Sequence, residues 1–395
     1  MRKLTAALIA AALVIGPATA ANANRERGLD GEADWGPGRQ RCTTVADGTP
    51  LREALTGLPD AEASGALVLL HDAGGCRQGT AGVADVHTGR TVPIDGRFRI
   101  GSMTKTFTAV VTLQLAAEGK LDLNQTVQHY LPDLLPAGTA PITVRQVLTY
   151  TSGLNHVETG NKQWDWFKDH RYDHWAKGSQ IDTAKPLAFT PGTKQRYGNV
   201  DYIVAGLLIE KVTGRTWESQ IQQRIIDRLG LRGTTAPGRD VDVRGPHAHG
   251  YEATEDGWVD VTRADTSLQW SAAAIISTAP DLDRFLVALF SGQLVPEPQL
   301  SEMFTLPAGV MLYDGNDDPT DDQKAVYSAG LTELPAGPSL VLWGKSGDRP
   351  GYNNGMAATR DLSARLIFSV NTLHMGGSDQ PVRSQRIIAA ALSGR

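Results

Sequence analysis

Ser102 and Lys105 stand three residues apart in the stretch Phe98-Arg99-Ile100-Gly101-Ser102-Met103-Thr104-Lys105. Residues at i and i+3 share a helix face, so a hydroxyl and an amine can meet there. A serine hydroxyl is a weak nucleophile until a neighbouring base takes its proton. Lysine becomes such a base when burial and a positive neighbourhood disfavour its charged form. A helix start supplies a positive field. It also aims backbone N–H groups at the reacting centre, so the Ser102 amide can help hold an oxyanion. A surface Ser and Lys are the plain alternative, since about one S-x-x-K or fewer arises by chance in a chain this long. Ser102 is, however, the only serine here with Lys at +3.

Two further segments offer matching chemistry. Tyr197-Gly198-Asn199 follows Phe189-Thr190-Pro191-Gly192. A phenol near Lys105 acts as general base or passes a proton to the leaving group. The Asn199 amide can bind a substrate amide, cap the helix expected from Val200, or do both. Lys345-Ser346-Gly347 follows the apolar run Leu340 to Trp343. On an edge strand beside Ser102 it would present a cation, a hydroxyl and a glycine allowing close approach. The Asp348 amide would then complete the oxyanion hole. A strand ending in a turn is the alternative there. Tyr352-Asn353-Asn354 repeats the spacing of the tyrosine segment, and His87-Thr88-Gly89 reads as a hairpin turn. His247 and His249 show no third ligand, so a loop is expected and no metal. No cofactor is expected. Trp164, Trp166, Phe167 and Trp175 sit among Asp165, Lys168, Asp169 and His170, too polar a stretch for core. They are expected as an aromatic wall over the site.

These side chains need elements to hold them. Thr106 to Gly119 is apolar nearly all round, the mark of a buried helix, with Gly119 as its stop. Asn124 to Tyr130, Thr143 to Tyr150, Val200 to Val212, Ala279 to Ser291 and Ser384 to Leu392 are further helix candidates. Thr143 and Gln146 fit a capping box. Strands are expected at Ala66–His71, Gln78–Val86, Leu340–Trp343, Gly355–Thr359 and Ala364–Val370. Strands at both ends with helices between imply an α/β (α+β) fold, its sheet built from distant segments with a helical region inserted.

A length of 395 residues exceeds what one compact core usually takes. A net charge of -5 gives no basic footprint, so nucleic acid is excluded as a partner. Arg2 and Lys3, the apolar run Leu4 to Ile15, and Ala18-Thr19-Ala20 or Ala21-Asn22-Ala23 read as an export signal with its cleavage site. The run is too short to span a bilayer, and no integral membrane anchor is expected. Residues 1–23 are thus expected as a signal peptide, 24–60 as a loose lead-in, and 61–395 as the working domain, with a helical subdomain at about 121–263. Secretion allows Cys42 and Cys76 to pair, with two free thiols as the alternative.

In this order, the three segments around Ser102, Tyr197 and Lys345 resemble the serine penicillin-recognising enzymes, in particular secreted DD-carboxypeptidases and class C β-lactamases. The resemblance runs from about Leu67 to Leu392. It takes in Gly119-Lys120-Leu121-Asp122-Leu123, Ile142 to Thr149, Thr151-Ser152-Gly153-Leu154 and Gln269-Trp270-Ser271. It implies a mixed α/β domain with an antiparallel sheet flanked by helices, an all-helical subdomain, and a site between them. Ser102 would be the nucleophile, Lys105 its base, and Tyr197 the third catalytic group. Asn199, Lys345, Ser346, Gly347, Asp348 and Trp270 would bind a small peptide, ester or β-lactam substrate. D-alanyl-D-alanine carboxypeptidase activity is the first expectation. An esterase, amidase or β-lactamase is the second, and a non-catalytic penicillin-binding-like protein the third. Lys-Ser-Gly stands where the nearest carboxypeptidases often have His-Thr-Gly. Tyr327-Ser328-Ala329-Gly330-Leu331 leads to Thr332 and Glu333, where those enzymes carry a carboxylate-binding Arg. Asp348 would repel a substrate carboxylate.

Overall fold

The computed structural model describes residues 42–315, 323–337, 340–376 and 381–393. The expected signal peptide and the first part of the lead-in lie outside the described residues. The main sheet contains β1 (Ala63–Asp72), β2 (Gly75–Asp85), β3 (Thr332–Pro335), β4 (Val341–Arg349), β5 (Tyr352–Thr359) and β6 (Arg365–Thr372). Their order across the sheet is β2-β1-β6-β5-β4-β3, and every one of these pairs is antiparallel. A short strand, Thr43–Thr44, adds a parallel edge beside β2.

Strand β1 is apolar without alternation because both of its faces are covered. Leu67 and Leu69 enter the main core. Ala66, Val68 and Leu70 enter a second core beneath Pro50–Leu55 (α1) and Val382–Leu392 (α6). The stretch expected as a loose lead-in therefore ends in structure. Thr49 caps α1 by accepting from Arg52 N, and Leu51, Ala54 and Leu55 are buried. The Cys42–Cys76 disulfide ties this segment to β2 across a separation of 34 positions.

On the other face stands Thr104–Ala117 (α2), with every residue from Thr104 to Leu115 buried. Phe107 stacks on Phe285 of Ala279–Phe290 (α5) with ring centroids 3.9 Å apart. A helix buried on all sides makes a rigid post, and its first turn carries Lys105.

The inserted region contains Trp164–His170 (α3) and Val200–Thr213 (α4), with shorter helices at Val127–Tyr130 and Val144–Leu148. The Thr143–Gln146 capping box is present. The region is less helical than expected. Asn124 to Thr126 stay in a turn, with Asp122 accepting from Asn124 N, and the hairpin Tyr251–Thr254/Gly257–Asp260 lies near its end. Among the described residues no helix is long and apolar enough to cross a membrane.

One feature of the sheet decides where a ligand can lie. Strand β3 pairs only with Val341 to Gly344 of β4. Beyond Gly344, the segment Lys345 to Arg349 pairs, among the described residues, with β5 alone, so its other edge is open beside the start of α2.

Candidate active site

Two glycines let the strand and the nucleophile turn touch. Gly101 has φ +55, and a Cβ there would sit 2.6 Å from Asp348 N and 2.7 Å from Asp348 O. A Cβ on Gly347 would sit 1.8 Å from Ile100 O and 3.1 Å from Ser102 N. Any side chain at either position would push β4 off Ser102. The short 3₁₀ turn Gly101–Met103 then hands the chain to α2. The backbone around Ser102 N and Asp348 N is thus brought together, as two oxyanion-hole donors require.

Lys105 is fully buried. Its amine donates to Asn199 Oδ1 at 2.7 Å and to Ala272 O at 3.1 Å, and lies 3.0 Å from Ser102 Oγ. A neutral amine has two hydrogens and one lone pair. Two acceptors fix the hydrogens, so the lone pair is left for the serine hydroxyl. Burial pushes Lys105 down to about 8, against the pull of Tyr197, and the Lys345 cation adds to the lowering. Lys345 is buried too, and burial lowers it to about 7.

The Tyr197 ring lies between the two lysines, 5.1 Å from Lys105 Nζ and 4.5 Å from Lys345 Nζ. Its hydroxyl is buried and, among the described residues, no partner meets strict hydrogen-bond geometry, though it sits near enough to the Lys105 amine to favour that lysine's charge. A buried hydroxyl left unpaired is unfavourable, and a reacting group would satisfy it. Tyr150 and Tyr327 pack against the ring with centroids 4.9 and 5.1 Å away. Asn199 occupies the N-cap position of α4 but makes no cap hydrogen bond. Its oxygen serves Lys105 instead.

Ser102 on the turn, Lys105 on α2, Tyr197 and Asn199 at the entry to α4, and Lys345, Ser346, Gly347 and Asp348 on the open strand edge are thus brought together. Ser346 and Asp348 are exposed and alternate with the buried Lys345 and Gly347. Trp270, expected to bind substrate, is buried: the residue is 4% exposed, its indole nitrogen donates to Glu218 Oε1, and its ring packs edge-on to Trp217. The segment contributes through its backbone, because the Ala272 carbonyl two residues on holds Lys105. His87-Thr88-Gly89 forms an exposed turn on Asp85. Tyr352 and Asn354 are buried struts, with Tyr352 Oη donating to Ala248 O and Asn354 Nδ2 to Arg99 O.

Three contributors carry no motif in the sequence. The Ala272 carbonyl is one. Asp201 is another: it is buried, accepts from Ser152 Oγ at 2.5 Å, and burial pushes it up to about 7. The third is Arg349, whose Nη1 donates to Gln269 Oε1. Cys42, His71 and Cys76 place ligand atoms close together, but the two sulfurs are bonded to each other.

Residues 51–391 match the family model described as Beta-lactamase. The solved structure of a D-stereospecific amidohydrolase from Streptomyces sp. is similar with a TM-score of 0.74 and 32% identity, covering 88% of this chain and 98% of that one. The esterase EstB of Burkholderia gladioli is 29% identical over 171 residues, 38% of this chain and 41% of the relative. The putative penicillin-binding protein PbpX of Bacillus subtilis is 31% identical over 210 residues, 53% of this chain and 50% of the relative. The chain spans between two fifths and half of the length of these two curated relatives.

Proposed function

Because the chain belongs to the Beta-lactamase family, we propose that it is an exported serine hydrolase that forms an acyl-enzyme on Ser102 and releases it to water. The observation that carries this reading is the Lys105 amine, with two acceptors fixing its hydrogens and its third direction at Ser102 Oγ. Ser102 Oγ attacks the substrate carbonyl carbon while its proton passes to Lys105. The oxyanion is held by the amides of Ser102 and Asp348. The tetrahedral adduct collapses, the carbonyl–leaving-group bond breaks, and the leaving group takes the proton through Lys105 and the Tyr197 hydroxyl. Water then attacks the ester, gives its proton to the same pair, and regenerates the serine.

The donor proposed is an amide or ester of a small D-amino acid or short D-peptide. The amidohydrolase similarity over most of both chains supports it. So does Asp348 at the open edge, whose negative charge disfavours a donor with a free carboxylate, although burial raises its pKa. A second reading, D-alanyl-D-alanine carboxypeptidase, is favoured by the desolvated Lys345 beside the site. Export is supported by the Cys42–Cys76 bond, since disulfides persist in oxidising compartments.

Intact-mass detection of a Ser102 adduct tests the reading across a D-aminoacyl amide, a simple ester, a D-Ala-D-Ala peptide and a penicillin. Adducts that form on the native chain and vanish in Ser102→Ala are expected. No adduct from any member sinks acyl-serine chemistry. Faster turnover of the D-Ala-D-Ala peptide than of the amide selects the second reading.

A further inference from the structure

The Cys42–Cys76 bond has a titratable group against it. His71 of β1 and Cys76 of β2 stand directly opposite each other across the strand pair, and His71 Nε2 lies 3.2 Å from Cys76 Sγ. The same nitrogen lies 3.3 Å from Asp283 Oδ2 of α5. A disulfide sulfur and a carboxylate both accept, so the ring hydrogen sits on Nε2 between them. Asp283 is anchored in turn by Arg365 of β6, whose Nε and Nη2 donate to its two oxygens at 2.7 and 3.4 Å. The imidazole is thereby fixed against one sulfur of the pair.

The two sulfurs are unequal. Cys76 is 6% exposed and packs in the main core. Cys42 is half-buried and leads into the exposed edge strand Thr43–Thr44. A thiolate cleaves a disulfide by attacking one sulfur and expelling the other, and the sulfur whose anion is better stabilised leaves faster. A neighbouring imidazolium lowers a thiol's pKa and so stabilises that anion. Nearby carboxylates would oppose it, but Asp283 is matched by Arg365 and Asp72 by Arg77. Attack from solvent therefore falls on Cys42, and Cys76 is the leaving sulfur.

We propose that Cys42 is a thiolation site, which takes up a low-molecular-weight thiol by exchange while His71 and Asp283 hold the displaced Cys76 sulfur. The incoming thiolate attacks Cys42 Sγ. The Cys42–Cys76 bond breaks, its electron pair leaves on Cys76 Sγ, and the His71 Nε2 hydrogen holds the new thiolate. The incoming sulfur is oxidised to the disulfide level as Cys76 is reduced, so no further oxidant enters. In the reverse step the Cys76 thiolate attacks Cys42 Sγ and expels the small thiol. The bond fastens residues 42–44 to β2. Strands β1, β6 and β5 stand between β2 and the catalytic edge of β4, so exchange releases the far edge of the sheet and is independent of the acyl-serine chemistry.

The test treats the folded native protein with glutathione, traps free thiols with iodoacetamide and maps both cysteines by mass. Glutathione on Cys42 and the alkyl group on Cys76 are expected. Glutathione on Cys76, an even split between the two, or no mixed disulfide in folded protein overturns the site. This arm needs no variant. In a second arm, His71→Phe should slow adduct formation at least about 10-fold, because the leaving thiol loses the group that lowers its pKa. His71→Gln keeps an N–H donor and should recover part of that rate. An imidazole that only braced β1 against α5 would, when lost, loosen the fold and speed exchange. A rate that rises or stays level in His71→Phe therefore overturns the proposal.

Discussion

Tyr197-Gly198-Asn199 and Tyr352-Asn353-Asn354 have the same residue types at the same spacing, and the fold uses them in opposite ways. Tyr352 is fully buried and its hydroxyl donates to Ala248 O at 3.0 Å. Asn354 is fully buried and its amide nitrogen reaches Arg99 O at 2.8 Å and Gly347 O at 3.3 Å. Tyr197 keeps a buried hydroxyl with no well-aligned partner, and Asn199 gives its oxygen to a buried amine instead of to its own helix. The first pair gives its donors to backbone carbonyls and stays inert, although Asn354 Oδ1 is left unpaired. The second sets its polar atoms around Lys105 and the serine beside it. What distinguishes a working triplet from a structural one is therefore where its polar atoms point: at backbone, or at a buried amine beside a nucleophile. The inert pair still matters, since Asn354 spans the nucleophile turn and the strand laid against it.

The largest effect that separates the two triplets is on turnover. Tyr197→Phe should lower kcat/KM by about 100-fold or more, the lower end of what a positioned proton-transfer group contributes. Its melting temperature should hold or rise, because an unpaired buried hydroxyl is removed. Tyr352→Phe should do the reverse. It should destabilise by about 1–3 kcal/mol, since the Ala248 carbonyl loses its donor, while activity per folded molecule stays within a few-fold. Steady-state kinetics paired with thermal melts reads both, and equal kinetic losses would erase the distinction.

The asparagines sharpen the comparison at smaller amplitude. Asn199→Ala frees one hydrogen of Lys105 and lets the amine swing from Ser102. A loss of about 10-fold in kcat is expected, below the roughly 100-fold that a full misplacement can cost, with little change in KM. Asn354→Ala should instead act through folding. If Asn354→Ala lowers kcat more than Asn199→Ala in fully folded protein, the strut has been misread.

The pH profile isolates the amine. Lys105 must be neutral to accept the serine proton, and burial holds it at about 8. The kcat/KM for a neutral ester should therefore climb with pH and level off above that value. Lys345→Met removes a neighbouring amine that helps keep Lys105 low while it is charged; since Lys345 itself titrates near 7, the rising limb should move only slightly to higher pH. A limb that stays in place would mean Lys345 does not reach Lys105 electrostatically.

Much of this was legible in the sequence, for identifiable reasons. The buried helix showed because Phe107, Val110, Val111, Leu113 and Leu115 leave it no polar face. The three segments showed because each carries side-chain chemistry. The two triplets could not be told apart by spacing, since only tertiary packing decides which hydroxyl finds a carbonyl. The segment at Trp270 shows a related limit: its conspicuous indole is buried against Glu218 and Trp217, while the contact it makes with the site is the Ala272 carbonyl that holds Lys105. A carbonyl has no sequence signature. Arg349 was legible as a charge, but Gln269 and the indoles beside it come from segments far away in the chain.

The smallest effect expected is on stability, and its sign follows from linkage. Lys345 in the folded chain titrates near 7, below the ordinary 10.5 of a free lysine, because burial disfavours its charge. Between those values the unfolded chain binds the proton that the folded chain has lost, so stability rises with pH across that window. Below pH 7 both states are charged, and the penalty for burying the cation is complete. Methionine fills a similar volume with no charge to desolvate. Lys345→Met should melt a few degrees above the native protein at pH 6, and the gap should close as pH approaches 10. Melts across that range decide it. A gap that is constant with pH would assign the effect to packing alone, and a variant that melts lower at pH 6 would mean the ammonium is held by contacts stronger than its bond to the Ser346 carbonyl at 3.3 Å.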